Sequence, residues 1–178
     1  MIRHADAARD AAACAAIYAP FVTDSWVSFE EDPPDAEEFA RRIASTTERY
    51  PWLVADDGTV IGYAYAAAHR ERAAYRWAAD VAAYVAEPAR RRGVGRALYG
   101  ELLATLARQG FQVACAGVTL PNPASVALHE ACGFRPVGIY RRIGFKAGAW
   151  RDVGWWQLEL VPAADGVPPE PGPPAELD

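Results

Sequence analysis

Four arginines, at 90, 91, 92 and 96, frame two glycines, Gly93 and Gly95, directly after the apolar run Tyr84-Val85-Ala86 and ahead of a helical stripe. Such a turn can hold an anion. N–H groups in the first turn of a helix lack intrahelical partners, and the macrodipole places positive potential on them. Guanidinium groups add charge-assisted hydrogen bonds to phosphate oxygens. Glycine removes Cβ atoms that would hold a phosphate away from the backbone. The expected chemistry is pyrophosphate binding by Arg91, Arg92, Gly93, Val94, Gly95 and Arg96. An exposed charged loop is the plain alternative for the arginine run. Two rival glycine motifs fail on spacing. A dinucleotide fingerprint needs a third glycine where Leu98 stands, and the Gly-Lys-Ser/Thr of a P-loop occurs nowhere.

A second constellation follows. Asn122 precedes His129 by seven residues, and Gly133-Phe134 follow four and five residues later. An imidazole on a helix can deliver a proton near neutrality, although a hydrogen-bonded histidine on a helix flank has the same sequence appearance. Asp80 falls in a strand-like run, where its carboxylate could take a proton or simply pair with Arg70, Arg72 or Arg76. Arg70 and Arg72 carry planar forks suited to carboxylates, or they are ordinary surface charges. Cys14, Cys115 and Cys132 are odd in number and show neither Cys-x-x-Cys nor metal-like spacing with the histidines. No metal is expected, and a reducing cytoplasm fits them.

The elements that must position these residues can be read from periodicity. Ile2-Arg3-His4 is a short strand, and Ala7 to Tyr18 a helix ending before Pro20. Asp35 to Ala44 is a second helix, with Phe39 and Ile43 on one face. Residues 52–55 and 60–66 flank Asp56-Asp57-Gly58 as a hairpin. Tyr75 to Val85 is a long strand. Val94, Leu98, Leu102 and Leu106 recur every four residues in a helix stopped by Gly110. Val113 to Thr119 is a buried strand and Pro123 to Cys132 a helix closed by Gly133. Arg135 to Phe145 and Trp150 to Val161 form a last strand pair. The class is mixed α/β, one domain over residues 1–161. From Pro162 six prolines in seventeen residues leave too little apolar material to offset ordering, so 162–178 is expected to be a disordered tail.

Composition narrows the partners. A chain of 178 residues with 52% hydrophobic content can bury one core. Its net charge of −5 argues against a nucleic-acid or anionic-membrane binder, which needs a positive face. No apolar run reads as a membrane span or a signal peptide.

Arg90-x-x-Gly93-x-Gly95 resembles the acetyl-CoA signature Gln/Arg-x-x-Gly-x-Gly/Ala of the GCN5-related N-acetyltransferases (GNAT). Asn122-x(6)-His129-x(3)-Gly133-Phe134 resembles their second signature, Asn-x(6)-Tyr-x(3)-Gly-Phe, with histidine at the donor position. Further phrases look like the phosphinothricin and methionine sulfoximine/sulfone N-acetyltransferases. They are Arg49-Tyr50-Pro51-Trp52-Leu53-Val54-Ala55, Arg70-x-Arg72-x-Ala74-Tyr75-x-Trp77, Leu120-Pro121-Asn122, His129-Glu130-Ala131 and Gly144-Phe145-Lys146-x-Gly148-x-Trp150-x-Asp152-Val153-Gly154. The resemblance runs from about Ile2 to Leu160.

That resemblance implies a GNAT fold, a mostly antiparallel central sheet with a splayed strand pair, flanked by helices. It implies acetyl-CoA as co-substrate, with Ala83, Tyr84 and Val85 pairing with the pantetheine arm and Asn122 beside it. Asp80, where the family carries glutamate, would be the base, directly or through water, and His129 the proton donor to sulfur. Arg70 and Arg72 would grip an anionic group, and Phe29, Tyr84 and Trp150 would wall the pocket of a small amino-acid-like amine. The amine would attack directly, without an acetyl-enzyme. Ala82 replaces a threonine and Thr119 a glycine of the herbicide-detoxifying members, which removes a hydroxyl and adds bulk. The family also implies a homodimer with the Trp150 to Trp156 region as contact. Acetylation of an aminoglycoside or a protein N-terminus, or a non-catalytic acetyl-CoA-binding module, are the alternatives.

Overall fold

The computed structural model describes residues 1–162 and 166–174. Strand β1 is Ile2–His4, followed by helix α1 over Ala7–Thr23, whose first turn is capped by the Asp6 side chain accepting from the Arg9 N–H. Contrary to the sequence expectation, α1 runs through Pro20. The Thr23 hydroxyl donates to Ala19 O, the Asp24 N–H to Pro20 O and the Ser25 hydroxyl to Phe21 O, while Val22 is buried. These bonds and the burial of Val22 hold a turn that a proline alone would have ended. Helix α2, Ala36–Thr47, is capped by Asp35 and buries Phe39 and Ile43. Strands β2 (Trp52–Asp56) and β3 (Val60–Ala68) make the expected hairpin.

Strand β4, Ala78–Val85, starts three residues later than expected. The Tyr75 N–H bonds back to Arg72 O and closes a short 3-10 turn over Ala73–Tyr75, so the backbone is not extended there. Helix α3 is Val94–Gln109, β5 is Val113–Leu120 and α4 is Pro123–Ala131. The chain closes with β6 (Arg135–Lys146) and β7 (Ala149–Glu159), joined at Ala147-Gly148, both at positive φ. That mirror-type turn matches the twist of the hairpin.

The sheet order is β1-β2-β3-β4-β5-β7-β6, antiparallel throughout except for β4 against β5. Side chains alternate between its faces. Leu53, Ala64, Ala66, Ala79 and Val81 pack with Leu98, Leu102 and Leu106 of α3. Trp52, Val54 and Tyr63 pack on the other face with α1 and α2.

The parallel pair is incomplete. Ala78, Ala79 and Asp80 face Val113, Ala114 and Cys115, and pairing stops there. Yet β4 stays paired with β3 as far as Val85↔Gly62, and β5 with β7 as far as Leu120↔Asp152. The facing edges of 81–85 and 116–120 therefore diverge, which is the splay the resemblance implied.

Residues 166–174 of the proline-rich segment lie against donors of the domain. The Trp77 indole N–H donates to Pro169 O at 2.8 Å, Gln109 and Gly172 exchange two bonds of 2.8 Å, and Arg76 meets Glu170 at 3.2 Å. Extended proline-rich backbone carries free carbonyl acceptors, and neighbouring donors hold it without a core of its own. The rest of the expected tail, 163–165 and 175–178, lies outside the described residues.

Candidate active site

Because β4 and β5 run parallel, their carboxyl ends lie at the same end of the sheet, and the cleft between them opens there. Crevices beyond the carboxyl ends of diverging strands are where open sheets bind ligands. Each strand leads into a helix start at this mouth.

After β4, the 3-10 turn Glu87–Ala89 buries Ala89. Arg90 folds back, its Nε donating to Val85 O at 3.2 Å and its guanidinium lying 4.9 Å from the Phe21 ring centre. It braces the turn, whereas Arg91, Arg92 and Arg96 are exposed. Gly93 caps α3 at φ +83°, and no side chain caps that first turn. The intrahelical ladder begins with Ala97 N–H to Gly93 O.

The two glycines also differ in what the protein around them requires. A Cβ on Gly93 would meet open space, so its requirement is the left-handed backbone. A Cβ on Gly95 would stand 3.1 Å from Leu128 Cδ2, so Gly95 lets α3 approach α4. The uncapped N–H groups, the flanking guanidinium groups and the open strand edges together fit a linear ligand carrying a pyrophosphate. Asn122 stands at the other helix start, where its Oδ1 accepts the Ser125 N–H at 3.1 Å and caps α4. That leaves the amide NH2 for a ligand in the cleft.

Asp80 occupies the last rung before the strands part. Its partner is none of the arginines but His69, whose Nδ1 is 2.6 Å from Oδ1. Burial raises the Asp80 carboxyl above the usual carboxylate range, with the His69 bond and the charges of His69 and Arg70 pulling it partly back. His69 follows β3 directly. Sequence reasoning missed it, although a signal existed: Ala67 faces Asp80, and a side chain two residues on shares its face.

Cys115, opposite Asp80, completes a trio whose ligand atoms lie within 4.8 Å of one another, the set among the described residues that could hold a metal ion. It also gives Cys115 a nearby base that the sequence did not reveal. Burial and the Asp80 charge push its thiol up to about 11, which leaves it protonated and a poor nucleophile near neutrality.

A cavity of about 550 Å³ opens beside this trio, lined by Ala68, His69, Arg70, Glu71, Arg72 and Tyr75. It brings both expected substrate arginines together. Arg70 donates to His69 O at 2.8 Å and lies over the Trp155 ring.

The remaining expected residues are elsewhere. Tyr84 packs in the core against Tyr18, Phe21 and Tyr63. Its backbone, with Ala83 and Val85, lies along the splayed edge. Phe29 sits against the backbone of Gly144, and Trp150 packs on Phe145 at the exposed end of the last hairpin. The Thr119 hydroxyl donates to Val27 O at 3.0 Å, and the Trp26 indole to Pro121 O at 3.1 Å, so both fasten the loop after α1 to the end of β5.

His129 lies on α4, away from Asp80. It is 4% exposed. Its Nδ1 is 2.7 Å from Ser125 O, a carbonyl that can only accept, so Nδ1 carries the hydrogen. Nε2 then accepts from the Tyr99 hydroxyl at 2.8 Å. Burial lowers its pKa, offset in part by the Ser125 bond. Both ring nitrogens are thus engaged.

Residues 2–155 match the family model for the acetyltransferase (GNAT) domain, and the chain belongs to that family. Within it, it is a phosphinothricin acetyltransferase-like N-acetyltransferase. It is 41% identical over 172 residues to a phosphinothricin N-acetyltransferase of Streptomyces viridochromogenes, covering 96% of this chain and 91% of that one. It is 34% identical over 150 residues to an L-methionine sulfoximine/L-methionine sulfone acetyltransferase of Pseudomonas paraeruginosa, covering 83% and 87%. Among solved structures, a phosphinothricin acetyltransferase from Sinorhizobium meliloti in complex with AcCoA superposes with a TM-score of 0.90 at 38% identity, covering 96% of this chain and 93% of that one.

Proposed function

We propose that this protein transfers acetyl from acetyl-CoA to the α-amino group of a small amino acid or amino-acid analogue of the phosphinothricin or methionine sulfoximine/sulfone type. The observation that carries the reading is the opening of the sheet at Asp80, with a carboxylate and a cavity bearing two arginines at its apex. Acetyl-CoA, when bound, supplies the activated thioester. Uncapped N–H groups at Gly93, Val94 and Gly95, with Arg91, Arg92 and Arg96, hold its pyrophosphate. The free edge at Ala83, Tyr84 and Val85 pairs with the pantetheine arm, and the Asn122 NH2 braces it from β5. A backbone N–H beside Tyr84 is placed to polarise the thioester oxygen.

Arg70 and Arg72 orient the anionic end of the amine, and the Asp80 carboxylate provides the negative charge that favours loss of the ammonium proton. The raised thiol of Cys115 supports direct attack. To His129 we assign a positioning role, joining α4 to Tyr99 of α3, in place of the donor role the sequence suggested. Phe29 and Trp150 border the β6–β7 hairpin rather than the cavity, and their part in substrate binding runs through that hairpin.

The hairpin also exposes Val137, Ile143, Phe145 and Trp150. Exposed apolar side chains on one hairpin suit contact with a second copy of the chain, and we propose a homodimer through it. No helix among the described residues is long and apolar enough to cross a membrane, and the three cysteines are unpaired, which supports a cytoplasmic site of action.

The test is acetyl-CoA binding by calorimetry, together with CoA thiol release over a panel of amino acids, phosphinothricin, methionine sulfoximine and methionine sulfone. Asp80→Asn is expected to lower kcat/KM by about 10²–10⁴-fold while acetyl-CoA still binds. Binding with no turnover of any amine would overturn the reading.

A further inference from the structure

We propose that His69 is a catalytic residue of the transfer, the group that takes the proton from the incoming amine, and that Asp80 is the positioning residue behind it. This rests on the acetyltransferase reading above. Between the two, His69 is the one that lines the cavity. Asp80 does not line it, and its Oδ1 is engaged at 2.6 Å by His69 Nδ1.

A carboxylate only accepts, so a neutral ring bonded to it carries its hydrogen on Nδ1 and bares the lone pair of Nε2. The ring's direction is fixed as well as its tautomer. Tyr75 and Trp155 meet it edge-on, with centroids 5.7 and 6.0 Å away. A carboxylate that fixes an imidazole's tautomer and orientation while the other nitrogen does the chemistry is a recurrent arrangement for moving protons. His69 lines the cavity, while Asp80, bonded to its Nδ1, is not among the lining residues. The charged and titratable groups around the ring are Asp80 and Cys115 from the strands and Arg70, Glu71, Arg72 and Tyr75 from the cavity rim.

The step balances as follows. An amine arriving as ammonium gives one proton to Nε2, and its freed lone pair attacks the thioester carbonyl carbon. The N–C bond forms and the C–S bond breaks, with its electron pair going to sulfur. The nitrogen's second proton ends on that sulfur as the thiol. The proton on Nε2 passes to water through the cavity.

Two measurements test this. Nitrogen-15 NMR of the imidazoles, in the protein without any amine, is expected to show His69 with hydrogen on Nδ1 and a bare Nε2, and Asp80→Ala is expected to mix the two tautomers. In turnover, His69→Gln, which keeps a donor toward Asp80 and loses the base, is expected to lower kcat by about 10²–10⁴-fold with little change in KM for acetyl-CoA. Imidazole added to His69→Ala is expected to restore part of the rate. A wild-type protein that acetylates its amine while His69→Gln, folded by thermal denaturation, turns over unchanged would overturn the assignment and leave the acetyltransferase reading standing. Hydrogen on Nε2 in the wild type would overturn it too. A wild-type protein that acetylates no amine would take both down.

Discussion

Arg3 reaches across the first strands to two carboxylates at once. Its guanidinium grips Asp10 through two nitrogens at 2.6 and 2.8 Å and Asp56 at 2.7 Å, and the Asp6 N–H also donates to Asp10. Burial pushes the Asp10 carboxyl up, but the Arg3 and Asp6 bonds and the Arg3 and Arg9 charges outweigh it, and the net shift is downward. A carboxyl lowered on folding stabilises the fold above its unfolded pKa of about 4 and loses that contribution as pH falls through the folded value. Asp10→Ala leaves Arg3 short of its buried partner, and we expect a loss of about 3 kcal/mol at pH 7 by urea unfolding. The difference from wild type should shrink toward pH 3.

In sequence these charges read only as interruptions of an alanine-rich start, because the bond from Arg3 in β1 to Asp56 at the end of β2 joins residues 53 apart and leaves no local signature. Asp80 was legible as a functional carboxylate, whereas its partner was not sought: the sequence offered three nearby arginines, and alternation along β3 was counted only to Ala66. His129 was legible by spacing, but its engagement with Tyr99, thirty residues away, is a product of helix packing.

Helices were read well where an apolar stripe decides them. The Val94, Leu98, Leu102 and Leu106 repeat gives α3, and three of these are fully buried, at 0% exposure. Elements set by distant partners were read less well. The start of β4 depends on one turn bond, the length of α1 on side-chain bonds around Pro20, and the splay on where inter-strand pairing gives out. The glycine turn shows the same division. Its anion-binding character follows from composition, but the separate duties of Gly93 and Gly95 need coordinates. Gly93→Ala forces a Cβ into the left-handed region at a cost of about 1–2 kcal/mol. We expect a lower melting temperature and acetyl-CoA binding weakened by up to about 10-fold in calorimetry, with substrate KM little changed.

At the scale of the molecule, two surfaces await solution measurements. Phe145 is 61% exposed and Ile143 57%, on the hairpin proposed to meet a second copy. Phe145→Asp is expected to convert a dimer to monomers in sedimentation velocity without unfolding the sheet. The proline-rich segment is the other. Its low apolar content made disorder the natural expectation, since nothing in a proline tract announces that Trp77 and Gln109 offer it donors. Ending the chain at Val161 removes those bonds, each worth about 1 kcal/mol, and we expect a melting temperature lower by roughly 5 °C with acetyl transfer retained.

The parting of β4 from β5 leaves the facing edges of 81–85 and 116–120 without each other as ladder partners. On the proposed pairing of the pantetheine arm with Ala83, Tyr84 and Val85, the guest would serve as a temporary eighth strand, tying occupancy of the cleft to rigidity at the centre of the sheet.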